Sequence, residues 1–228
     1  MSVAIALNPL NVELESLKLR VTEIFCSIQG ESTYTGIPTV FIRLTGCPLR
    51  CQYCDTTYAF AGGKWLTLDE IVKEISRYDL RHVTLTGGEP LAQRNSLKLL
   101  AGLCDRGFIV SIETSGAQDV SLIDPRVTKV MDIKTPGSGE HERNILENIK
   151  YLRKQDQVKF VICSRPDYIW SRDFVREYKL THLCEVLFSP SFDQLSPRQL
   201  AEWMLEDRLP VRLQIQLHKL LWGNERGR

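Results

Sequence analysis

The chain has 228 residues, 43% of them hydrophobic and 25% charged, which excludes a disordered polar tail and suits one α/β domain with a full core. Its formal net charge of +1 gives no global electrostatic case for nucleic acid or an acidic membrane surface as partner. No apolar run reaches the roughly 18–20 residues that span a bilayer, and residues 1–10 lack the start of a secretory leader, so a cytoplasmic protein is expected.

Residues 12–25 roughly alternate apolar and polar side chains and are expected to be extended. A short β-branched run, 39–44, reads as the first core strand. Residues 67–77 read as a helix: Thr67 and Glu70 can form a capping box, and Leu68, Ile71, Val72 and Ile75 fall on one face. Strand 82–86, helix 96–104, strand 108–113 and strand 127–134 follow, the last two separated by too few residues for a full helix. A helix at 142–153 precedes strand 158–162, and a helix at 167–178 precedes strand 185–189. Ser196 and Pro197 suit the cap and first turn of a helix at 197–206, and residues 211–217 alternate like a closing strand.

Strands separated by helices imply βαβ units and a parallel sheet. About six to seven parallel strands fit an incomplete, partly open (β/α) barrel, since a full eightfold one typically takes about 250 residues. Residues 1–20 are expected to be an N-terminal extension and 21–228 a single domain. Ligands of such folds bind at the carboxyl ends of the strands. There the sequence places Cys47, the run Gly87-Gly88-Glu89, and Glu113.

Of seven cysteines, four (Cys26, Cys104, Cys163, Cys184) are scattered, mostly in apolar stretches, and read as buried small hydrophobes. The other three, Cys47, Cys51 and Cys54, crowd into one loop, where Gly46 and Pro48 argue against a helix. A structural zinc site normally takes four closed ligands, often from two knuckles, and the sequence has no second knuckle. Three thiolates on one compact loop instead suit a [4Fe–4S] cluster with one iron left open.

The spacing Cys47-x3-Cys51-x2-Cys54, with Tyr53 before the last cysteine, resembles the radical S-adenosylmethionine (SAM) superfamily. Thr86-Gly87-Gly88-Glu89-Pro90 is similar to that superfamily's GGE segment. By this resemblance, SAM binds the open iron and is contacted by Tyr53, Cys54, Asp55, Gly88, Glu113, Lys134, Ser189 and Pro190. The segments Glu23 to Glu31 (with Gln29-Gly30-Glu31), Phe41 to Cys47 (with Arg43), Cys54-Asp55-Thr56 and Gln214 to Lys219 resemble the 7-carboxy-7-deazaguanine synthase family. That family implies a lyase that converts 6-carboxy-5,6,7,8-tetrahydropterin to 7-carboxy-7-deazaguanine with loss of ammonia, in queuosine and related 7-deazapurine biosynthesis. It further implies Ile28, Gln29, Gly30, Arg43, Thr86 and His218 at the pterin, Thr56 as a Mg²⁺ ligand, flavodoxin or ferredoxin as reductant, and a homodimer. The competing readings are a glycyl-radical-enzyme activase acting on a protein, and an iron–sulfur electron carrier that recruits Cys26 as its fourth ligand.

Overall fold

The structure is a computed structural model that describes residues 16–228. Strand β1 (Lys18–Ile28) runs antiparallel to β2 (Pro38–Leu44), with Phe25 opposite Phe41 and their rings stacked 5.1 Å apart. Strand β3 (Lys64–Thr67) pairs with the far edge of β1. From β2 onward each strand lies parallel to its neighbour: β4 (His82–Gly87), β5 (Ile109–Thr114), β6 (Thr128–Asp132), β7 (Gln157–Ile162), β8 (Glu185–Pro190) and β9 (Arg212–Leu213). The sheet order is β3-β1-β2-β4-β5-β6-β7-β8-β9. β3 and β9 end the sheet without meeting, so the partly open barrel of parallel strands expected from the sequence is what forms.

Helices α1 (Leu68–Ser76), α2 (Ser96–Asp105), α3 (Arg165–Glu177), α4 (Leu180–Leu183) and α5 (Pro197–Glu206) cross over between parallel strands, and α6 (Leu217–Trp222) follows β9. The capping box of α1 is present: Thr67 Oγ1 accepts from Glu70 N, and the Glu70 carboxylate accepts from Thr67 N at 2.7 Å. Leu68, Ile71, Val72 and Ile75 bury its inner face, each worth about 1.5–3 kcal/mol of transfer free energy. α3 starts earlier than the sequence suggests, because Ser164 is its cap and accepts from Asp167 N. Of the scattered cysteines expected to be buried, only Cys184 is; Cys26, Cys104 and Cys163 are corrected to partly exposed positions.

Two further expectations are corrected. Residues 142–153 form no α-helix but two 3-10 turns, His141–Arg143 and Leu146–Tyr151. Their asparagines are spent on the neighbouring loops instead. Asn144 Oδ1 accepts from Lys134 N at 2.9 Å and its Nδ2 donates to Lys134 O at 2.8 Å. Asn148 donates to Gly116 O and Gln118 O and accepts from Val120 N. Side chains that bond backbone in this way compete with helix formation.

Residues 211–217 give only the two-residue β9, because the polar side chain turns inward and the apolar one outward. Gln214 is buried and binds backbone, while Ile215 is exposed. The chain then crosses the mouth of the barrel, where Leu217 N donates to Gly30 O at 3.0 Å. The expected extended run at 12–25 lies partly outside the described residues. From Lys18 it is β1, with Leu19 fully buried. Of the expected N-terminal extension, residues 1–15 lie outside the described residues and 18–20 belong to this strand.

Candidate active site

The carboxyl ends of the strands open onto a cavity of about 600 Å³, within the usual range for small-molecule sites. Every residue assigned in the sequence to the cluster, SAM, the pterin or Mg²⁺ lines it, from Ile28 to His218, whereas Glu89 of the glycine turn does not. The cysteine loop leaves β2 at Leu44 and is anchored by its backbone: Gly46 N donates to Ala59 O and Gln52 N to Ser138 O. Leu49 is buried beneath it. Cys47, Cys51 and Cys54 all face the cavity, and Arg50 points away, its guanidinium 4.3 Å from the Phe60 ring centroid.

Burial raises all three thiols above the ordinary cysteine value, and the Lys134 ammonium opposes that shift at each. No fourth cysteine is among the described residues lining the cavity. Cys26 sits within β1 opposite Val40, away from the site, which removes the recruit that a four-cysteine carrier needs. Among the described residues no three His, Cys, Asp or Glu side chains gather round one point as ligands of a single ion. A donor set of three thiols on one loop fits a cluster larger than one ion, with a corner left for a ligand.

The Thr86-Gly87-Gly88-Glu89 turn forms the floor beside Cys47. Glu89 N donates to Gly46 O at 2.9 Å, and a Cβ on Gly88 would lie 2.1 Å from Gly46 O. Only glycine allows this contact between the two loops. The Glu89 side chain points into the core, fully buried, and accepts from Leu91 N, Thr114 Oγ1, Ser115 N and Ser115 Oγ. It ties the turn to the end of β5.

Charged side chains from β5, β6 and β7 and from the loops after β1 and β6 fill the centre. Lys159 of β7 pairs with Glu31 at 2.6 Å and lies 3.7 Å from Asp132, which also pairs with Lys134 at 3.0 Å. Burial is the largest single influence on these lysines and works against their charge, but their acidic neighbours together outweigh it (Asp132, Tyr53 and Cys51 for Lys134; Glu31, Asp132 and Glu113 for Lys159), so both are held above their ordinary value. Burial likewise works against the charge on Glu31, yet Lys159 and the Gln216 amide hold its carboxyl below the usual range. Glu113 goes the other way: burial first, then repulsion from Glu31, push it up, although Thr86 Oγ1 donates to it at 2.7 Å. Gln29, buried at the end of β1, donates to Glu113 and to Thr84 and accepts from Glu31 N. Two buried oxygens here lack a protein partner, Asp132 Oδ1 and the Tyr53 hydroxyl, and buried polar atoms of that kind fit a polar ligand.

At the mouth, Gly30 lies against His218: a Cβ would fall 2.1 Å from His218 Nδ1. Asp55 pairs with Lys219 at 2.8 Å, and against the desolvation of the surrounding cavity wall this holds its carboxyl down at about 2. Thr56 Oγ1 donates to Asp55 Oδ1. Arg43, beside Thr86 in the sheet register, pairs through Nε with Glu23 at 2.7 Å. Residues 223–228 fold inward over this corner, with the Arg226 guanidinium 4.4 Å from the Tyr58 ring centroid.

Sequence reasoning assigned no role to Glu23, Asp132, Lys159 or Gln216. Lys159 carried a readable signal: it stands between Val158 and Phe160 on the inward face of a barrel strand, where a lone lysine needs partners. Asp132 and Glu23 gave none, since their meaning comes from strands distant in sequence.

The Radical SAM superfamily model matches residues 41–166, and with the open parallel sheet and three-cysteine loop this defines the class: the chain is a radical SAM enzyme, whose cofactors are a [4Fe–4S] cluster and SAM. A 7-carboxy-7-deazaguanine synthase of Chlorobaculum tepidum is 46% identical over 90% of this chain and 94% of its own length. One of Koribacter versatilis is 41% identical over 91% and 98%. The crystal structure of QueE from Escherichia coli superposes with a TM-score of 0.73 at 23% identity, covering 91% of this chain and 98% of that one. The chain belongs to the 7-carboxy-7-deazaguanine synthase family. No helix among the described residues is long and apolar enough to cross a membrane.

Proposed function

We propose that the chain is a lyase that converts 6-carboxy-5,6,7,8-tetrahydropterin to 7-carboxy-7-deazaguanine with release of ammonia, as a single radical SAM domain in 7-deazapurine (queuosine) biosynthesis. The observation that carries the reading is the company of the cysteine loop. Arg43, Gln29, Gly30 and His218 line the same cavity as Cys47, Cys51 and Cys54, so one bound molecule can meet both sets.

Cys47, Cys51 and Cys54 would hold the cluster, which with SAM supplies a 5′-deoxyadenosyl radical able to take hydrogen from C6 of the pterin. Gly88, Tyr53, Asp55, Lys134, Ser189 and Pro190 form the SAM wall. The Gly88 backbone is suited to the amino group and the Lys134 ammonium to the carboxylate. Glu113 would offer an acceptor to a ribose hydroxyl of SAM, with Thr86 donating to it. Arg43 offers its terminal nitrogens to the substrate carboxylate. Gln29 and the Gly30 backbone face the pterin edge, beside Ile28. Thr56 would contribute one oxygen to Mg²⁺, an ion that keeps waters and takes its remaining ligands from substrate. The electron comes from a flavodoxin or ferredoxin, and the working form is a homodimer in the cytoplasm.

Anaerobically reconstituted and reduced protein, given SAM and the carboxytetrahydropterin, is expected to yield 7-carboxy-7-deazaguanine by mass spectrometry, with several products per SAM. No product from protein carrying a full cluster defeats the proposal.

A further inference from the structure

Resting on that reading of Arg43, we propose that Glu23 and Tyr58 are positioning residues for substrate recognition, acting through the Arg43 guanidinium. Glu23 Oε1 accepts from both Arg43 Nε and the Tyr58 hydroxyl, each at 2.7 Å. The three side chains come from separate segments: β1, β2 and the 3-10 turn Thr57–Phe60 that closes the cysteine loop. Arg43 is clasped between two rings as well, its guanidinium 5.4 Å from the Phe25 centroid and 5.9 Å from that of Tyr58.

An arginine is a long side chain with five donors, and what fixes its fork decides which donors reach a ligand. Glu23 takes Nε, the nitrogen at the base of the fork, and so leaves the outer edge with Nη1 and Nη2 for a carboxylate, the usual two-point geometry. The Tyr58 hydroxyl donates to the same carboxylate oxygen at 2.7 Å and so fixes the Glu23 rotamer. Because Tyr58 belongs to the turn that follows Cys54, the arrangement ties the carboxylate-binding arginine to the loop carrying the three cysteines. Correct folding of that loop and correct aim of Arg43 then go together.

A competing effect has the opposite sign. Glu23 partly cancels the positive charge that attracts a carboxylate, so its removal would tighten binding if charge outweighed aim. With the three groups partly buried and the aromatic rings confining the stem, aim is the larger effect.

The test is a double-mutant cycle on the dissociation constant of 6-carboxy-5,6,7,8-tetrahydropterin, measured by anaerobic calorimetry on reconstituted, SAM-loaded, unreduced enzyme. Glu23→Leu is expected to weaken binding about tenfold, and Tyr58→Phe, which removes one hydroxyl, about threefold. In an Arg43→Ala background both are expected to add less than about twofold. The SAM-induced change in the cluster spectrum serves as the control and stays as in the parent. Equal or tighter binding by Glu23→Leu, or an effect that persists in full without Arg43, overturns the inference. Wild-type binding by Arg43→Ala itself defeats the carboxylate reading, a separate outcome. Should Glu23→Leu fail to incorporate the cluster, Tyr58→Phe carries the same cycle alone.

Discussion

Replacing Glu89 by glutamine tests how the glycine turn beside Cys47 is held. The carboxylate is fully buried and accepts four hydrogen bonds, two on each oxygen. A glutamine of the same size has one oxygen and one NH₂ group. Hydroxyls of Thr114 and Ser115 can rotate to accept from the amide, but the N–H groups of Leu91 and Ser115 cannot. One of them must face a donor in either orientation, which costs about 1–3 kcal/mol for an unsatisfied group, plus the charge assistance lost from the remaining bonds. The neutral amide recovers part of this, since it is cheaper to bury than an anion. The net expectation is a loss of about 3 kcal/mol. For a domain of this size that corresponds to about 6–12 °C in Tm. Thermal unfolding of reconstituted wild-type and Glu89→Gln protein, followed by circular dichroism, measures it. Weaker SAM binding should accompany it, because the turn proposed to meet SAM is no longer tied to β5. A Tm within about 2 °C of wild type, with unchanged SAM affinity, would refute the reasoning.

Lys159→Met leaves Glu31 buried beside Glu113 with its main counter-charge gone, and should cost about 3–5 kcal/mol in urea unfolding. Adding Glu31→Gln should recover much of that loss, and a simple sum of the two single effects would contradict the pairing. The raised value of Glu113 means that the folded state holds its proton more tightly than the unfolded chain. Stability from this group therefore falls as pH climbs from the ordinary carboxylate value to the folded one. Glu113→Gln should then match or exceed wild-type Tm near neutral pH, with the advantage gone in acid, while product formation drops; a lower Tm at neutral pH would contradict it. Asp55 is depressed to about 2 from an ordinary 3.8, so its pairing with Lys219 is in place above about pH 4 and fades as pH falls toward 2. Lys219→Ala should shift the acid limb of the unfolding profile to higher pH, and an unmoved limb would argue against the pair.

Local chemistry made much of this molecule legible from sequence. The Thr67 and Glu70 box, the apolar stripe of α1 and the β-branched core strands each follow from short-range patterns. The cysteine loop, the glycine turn and Arg43 were readable because their residue types and spacings are tied to specific chemistry, and all reach one cavity. What stayed hidden was non-local. The apolar spacing of Ile145, Ile149 and Leu152 looks helical, yet Asn144 and Asn148 are committed to loops outside the segment, at Lys134 and Gly116. The alternation at 211–217 looks like a strand, yet the chain there turns to meet Gly30. Glu23 is an ordinary strand carboxylate until β2 and the 57–60 turn place Arg43 and Tyr58 against it.

The central claim is that Cys47, Cys51 and Cys54 hold a [4Fe–4S] cluster with one iron free for SAM. Electron paramagnetic resonance of the anaerobically reconstituted, reduced protein tests it directly. The account predicts a [4Fe–4S]⁺ signal that changes when SAM is added, and that is lost when Cys51 is replaced by alanine. A signal indifferent to SAM would mean a closed cluster and would contradict it.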